Sequence, residues 1–116
     1  MSTVDLAPIP SQLQMCIINS SDTNPVSICN AVTGQRVRIW GFHLTGGTSI
    51  VFKSDTTALS GVLTTTGLAL DVPVRTIKAS DGQMAFPHYQ SAVGETIKIT
   101  PGASGLAGTV YYSQGG

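Results

Sequence analysis

The side chains best suited to chemistry are few and scattered. Histidine occurs twice, as His43 and His88. An imidazole acts as a general base or a metal ligand only beside a partner that orients it or shares the ion. His43 stands in the alternating run Arg36–Thr45, on the parity of Val37, Ile39 and Gly41, where a core or interface histidine is expected rather than a base. His88 follows Pro87 near an expected loop, with no cysteine or carboxylate beside it at metal-ligand spacing. Ser104, in Gly102-Ala-Ser-Gly105, lacks the Gly-x-Ser-x-Gly spacing of a nucleophile elbow, and its flanks are turn-like. Asp71, Asp81 and Glu95 fall in three separate segments rather than as the facing pair a glycosidase needs. Gly46-Gly47 has no following helix or lysine to cradle a phosphate. These residues point to no enzyme, no metal site and no cofactor.

Cys16 and Cys29 lie symmetrically about Asp22-Thr23. A hairpin of Leu13–Asn19 with Val26–Ala31 would bring them face to face, at a spacing that permits a disulfide. Met1–Pro10 lacks the basic and apolar regions of a signal peptide, so synthesis in the cytoplasm and two reduced, buried thiols are expected. Without a secretory signal, the sequon Asn19-Ser20-Ser21 reads as chance.

Charge is scarce. Only 10% of the 116 residues are charged, against about 25% in an ordinary soluble domain. Six basic and six acidic residues cancel to a net charge of zero. That excludes a nucleic-acid groove, which needs clustered Lys and Arg, and equally a polybasic membrane surface. No apolar run approaches the ~20 residues that span a bilayer. An exterior this poor in charge is expected to be covered in large part by other chains.

The elements that must position these residues have a period of two. Arg36–Thr45, a Gly46-Gly47 turn and Thr48–Ser54 read as a hairpin. Ala58–Thr64 and Leu68–Val72 are shorter strands. Glu95–Thr100 places Ile97 and Ile99 inward and Thr96, Lys98 and Thr100 outward, and Leu106–Ser113 places Leu106, Val110 and Tyr112 on one face. No window shows the three-and-four spacing of a helix. The expected fold is all-β: a single-domain antiparallel β-sandwich over residues 12–116, jelly-roll-like, with residues 1–11 as an extended N-terminal arm. Pro8 and Pro10 exclude helix there, and Val4, Leu6, Pro8 and Ile9 are the expected contacts of the arm with a neighbour.

Arg36–Leu44 is apolar on both parities. One carries Val37, Ile39 and Gly41; the other carries Trp40, Phe42 and Leu44 beside Arg36 and Arg38. Half-buried antiparallel strands normally show one apolar and one wet face. Either a loop such as Asp71–Gln90 folds over this strand, or Arg38, Trp40, Phe42 and Leu44 form a subunit interface, with Trp40 as its anchor.

The run Ala31-Val-Thr-Gly-Gln-Arg-Val-Arg-Ile-Trp-Gly-Phe-His-Leu-Thr45, followed by Ser49-Ile-Val-Phe-Lys-Ser-Asp-Thr-Thr-Ala-Leu-Ser-Gly61, resembles small virion proteins of tailed bacteriophages. Tyr89-Gln-Ser-Ala-Val-Gly-Glu-Thr-Ile-Lys-Ile-Thr100 and Leu106-Ala-Gly-Thr-Val-Tyr-Tyr112 are similar to later strands of the same family. The likeness covers about residues 26–113; Asp55 stands where the pattern usually has glycine. The resemblance implies a β-sandwich that decorates or cements capsids, commonly as a homotrimer seated on the major capsid protein at the virion surface. An alternative it implies is a head-fibre or tail module that binds a host-surface glycan. A neutral chain suits a capsid exterior, low charge reduces the cost of desolvating surface between subunits, and a proline-containing arm loses less entropy on ordering.

Overall fold

The structure is a computed structural model that describes residues 7–8, 13–65, 69–74, 84–85 and 87–115. The arm positions Val4, Leu6 and Ile9, and the carboxylate Asp81, lie outside these residues. The described strands, in chain order, are β1 (Ala7–Pro8), β2 (Gln14–Asn19), β3 (Val26–Ser27), β4 (Arg36–Thr45), β5 (Ser49–Ser54), β6 (Thr57–Ala58), β7 (Leu63–Thr64), β8 (Leu70–Val72), β9 (Met84–Ala85), β10 (Tyr89–Gln90), β11 (Ile97–Pro101) and β12 (Ala107–Gly115).

Two antiparallel five-stranded sheets pack as a sandwich, as the alternation predicts. The first runs β10-β4-β12-β2, with β8 also paired to β4; the second runs β3-β11-β5-β6, with β7 also paired to β5. β1 pairs with β9 of the same chain, Pro8 opposite Met84, so the described part of the arm is held by its own chain.

The core is what the period of two delivers. β5 turns Ile50, Phe52 and Ser54 inward, and β11 turns Ile97, Ile99 and Pro101 to the same side. Register sets Ile99 opposite Phe52 and Ile97 opposite Ser54. From the first sheet, Ile18, Val37, Ile39, Phe42, Leu44 and Val110 complete one buried cluster. Phe42 and Tyr89 of the first sheet meet Phe52 of the second, with ring centroids 4.9 Å and 4.7 Å from Phe52. Each such aromatic pair adds about 0.5–1.5 kcal/mol beyond the area it buries.

A β-bulge accounts for the doubly apolar strand. Tyr111 pairs with Gly41 but Tyr112 pairs with Ile39, which leaves Trp40 as the extra residue of β4. One extra residue reverses the in-out phase. Val37 and Ile39 before the bulge, and Phe42 and Leu44 after it, therefore all enter the same core.

Four expectations are corrected. β4 and β5 do not form a hairpin: they belong to opposite sheets. Gly46, Gly47 and Thr48 all take positive φ (76°, 71° and 60°), and this left-handed run turns the chain out of one sheet into the other. Neither do β2 and β3 pair, because each lies at an edge of a different sheet. Residues 58–64 are not one strand, since β6 and β7 touch β5 at separate points. Thr96 is buried rather than outward, with its Oγ1 donating to the Cys29 carbonyl at 2.8 Å.

Candidate interaction face

Cross-strand register builds the outer face of the first sheet row by row, because residues paired across antiparallel strands share a face. Ile17, Thr109, His43 and Asp71 form one row across β2, β12, β4 and β8. Met15, Tyr111 and Gly41 form the next, and Asn19, Ala107 and Thr45 a third. The face divides in two. Around the bulge it is covered: a Cβ placed on Gly41 would come within 2.7 Å of the Val74 nitrogen and 3.0 Å of the Pro73 carbonyl carbon. Toward β2 it is open, with Met15 58% and Ile17 73% exposed.

β2 is thus the strand with two apolar faces. Cys16 and Ile18 point in; Met15 and Ile17 point out. The signal was in the sequence, since Met15-Cys-Ile-Ile18 is apolar at both parities, but the bulged β4 carried the same signal more loudly. No charged residue occurs between Leu13 and Ser21.

The residues expected to carry an interface are placed otherwise. Trp40, Phe42 and Leu44 are 0%, 3% and 0% exposed within the single chain, so they offer no side-chain surface to a partner. The cause for Phe42 and Leu44 is the phase reversal. Trp40 points outward but is enclosed, and its Nε1 donates to Ser113 Oγ at 2.8 Å. Arg38 is half-buried, with Nε donating to Gln90 Oε1 at 2.8 Å; burial, then neighbouring Arg36, lowers its pKa.

The candidate catalytic groups do not converge. His43 is exposed rather than in the core, with Nδ1 3.7 Å from Asp71 Oδ1. His88 is held by its backbone N–H on the Ile39 carbonyl at 2.8 Å, and its Nε2 lies 3.2 Å from the Pro73 carbonyl. Glu95 accepts from Ser54 Oγ at 2.6 Å in a tight turn, and Ser104 is exposed in a bend. Among the described residues no group of three His, Cys, Asp or Glu could hold a metal ion.

The thiols are free and half-buried, and both pack against the core. Burial, then Cys29, pushes the Cys16 thiol above the ordinary value. Burial, then Cys29 and Cys16, does the same to the Tyr112 phenol. Cys29 Sγ lies 3.6 Å from Thr96 Oγ1.

The open half of this face is apolar and hydroxyl-bearing, with one His–Asp pair. Such a surface can bury itself against a protein, and its one ion pair, His43–Asp71, is exposed on both sides. Comparison with family models, with curated proteins and with solved structures found no match.

Proposed function

We propose that this chain is a non-enzymatic structural protein of a bacteriophage virion, one that binds the exterior of the assembled capsid and stabilises it. The observation that carries the reading is the open outer face at β2. There Met15 and Ile17 stand in water on a strand without charge, in a sandwich whose whole exterior is charge-poor. Scattered exposed apolar residues are ordinary, whereas contiguous exposed apolar surface marks an interaction site, and Met15 and Ile17 share one face of one strand. The likeness of residues 26–113 to small phage virion proteins supplies the partner class, the major capsid protein.

The homotrimer implied by that likeness loses the face on which it was placed, because Trp40, Phe42 and Leu44 are enclosed. The glycan-binding alternative loses the same indole as a stacking surface and is left with half-buried Tyr111 on this face; capsid decoration is the reading retained.

The test is binding of the purified protein to capsids of its phage that lack it. Decoration requires saturable co-sedimentation at hundreds of copies per shell and a higher temperature of DNA release. No binding, or only a handful of copies per particle, rejects it.

A further inference from the structure

Open sheet edges are a hazard that proteins ordinarily blunt with short strands, charge, proline or a bulge. Around this sandwich the blunting is visible at most ends. β3, β6, β7 and β10 are two residues long, and β8 is three. β2 is different. It is six residues long, pairs in unbroken register with β12 on one side, and contains no charge and no proline. Among the described residues no strand pairs with its other side.

We propose that this free edge of β2 binds β2 of a second copy of the chain, antiparallel about a two-fold axis, so that the first sheet runs on from one copy into the other. The inference goes beyond capsid binding and does not depend on it.

Charge selects the occupant. An acidic or basic strand would find no counter-charge on β2, whereas a second β2 sets only uncharged residues against uncharged residues along Leu13–Asn19. A two-fold axis normal to the sheet keeps outer faces together, which restricts the register to residues of equal parity. Centred on Cys16, that register sets Met15 opposite Ile17 of the second copy, and Ile17 opposite its Met15. The two most exposed apolar residues of the strand are then closed into one patch by their own counterparts, an isologous contact. Alternate residues of each strand direct their N–H and C=O groups at the partner, as in any antiparallel ladder. Cys16 would face its symmetry mate with Cα atoms about 4.5–5.5 Å apart, within the span a disulfide bridges.

The experiment uses the purified chain alone, so its failure is separable from failure on capsids. Sedimentation equilibrium at about 10–100 µM should give twice the 12.0 kDa chain mass. Ile17→Lys should give the monomer with an unchanged far-UV spectrum, because that side chain is outside the core. With Cys29→Ser, diamide should oxidise the two facing Cys16 thiols to one intermolecular disulfide, its hydrazo product taking both protons and electrons. A monomeric or trimeric wild type, a dimer indifferent to Ile17→Lys, or a dimer that does not cross-link through Cys16 overturns the proposal.

Discussion

The Trp40 indole and the Ser113 hydroxyl meet across the bulge, Nε1 donating to Oγ at 2.8 Å. Trp40 is the residue left without a register partner when β12 steps from Gly41 to Ile39. Its ring is fully enclosed, and a buried indole N–H needs an acceptor. Ser113→Ala removes that acceptor and should cost about 1–3 kcal/mol. Trp40→Phe added to Ser113→Ala should not cost a further hydrogen bond, so the pair of changes should be non-additive by about 1 kcal/mol. Urea denaturation of the two single variants and the double variant reads this; strict additivity would show the bond contributes nothing.

Ser91 ties the two sheets together. Its Oγ accepts the Val37 N–H of β4 at 2.9 Å and lies 2.8 Å from the Glu95 carbonyl, just ahead of β11. It is 1% exposed. Ser91→Ala should lower stability by about 1–3 kcal/mol by stranding a buried amide, with the melting temperature down by several degrees. Ser60→Ala is the comparison: the Phe52 N–H that Ser60 Oγ serves lies nearer solvent, so the loss should be smaller. Equal losses would remove the latch role from Ser91.

How much of this was legible in the sequence divides along physical lines. Alternation identified β5 and β11 because each has one wholly buried face and a strict period of two; β4 and β12 were legible from long runs of strand-forming residues, although the bulge breaks the alternation of β4 and only Val110 and Tyr112 of β12 are buried. Pairing was less legible. Gly46-Gly47 read as a hairpin turn, yet Thr48 continues the positive φ, and a threonine there carries no sequence signal. The bulge at Trp40 was equally silent, since it depends on the step in β12 opposite. With the phase uncorrected, core residues of β4 resemble an interface, whereas at Met15 and Ile17, where no bulge exists, the outward phase is real.

Gly108 should be irreplaceable. Its φ is 145°, and a Cβ there would collide with the His43 carbonyl of the neighbouring strand. That carbonyl belongs to backbone locked in the β4–β12 ladder and has nowhere to move. Gly108→Ala should therefore cost more than about 3 kcal/mol or abolish folding. Gly34→Ala isolates the conformational part: φ is 80° there but nothing lies within 4 Å, so about 1–2 kcal/mol is expected. Comparable losses in thermal melts would mean that the close approach at Gly108 is relieved cheaply.

Alkali should unfold this protein sooner than its neutral composition suggests. Burial pushes up the Cys16 thiol and the Tyr89 and Tyr112 phenols, helped at Cys16 by Cys29 and at Tyr112 by both thiols, while Ser60 partly offsets the rise at Tyr89. A raised pKa means that the folded state holds the proton more tightly than the unfolded state. At pH values where the unfolded groups have begun to ionise, the unfolded state binds fewer protons, so stability falls as pH rises. The contribution is fully present below about pH 8, under the ordinary thiol and phenol values, and is lost progressively from about pH 8.5 upward. Tyr112→Phe removes one of the three groups without removing its ring, and should flatten the fall. Urea midpoints between pH 7 and 10.5 decide the matter: a midpoint that holds level or rises across that range would mean these groups ionise as easily folded as unfolded, and that the Cys16–Tyr112 end of the core admits water.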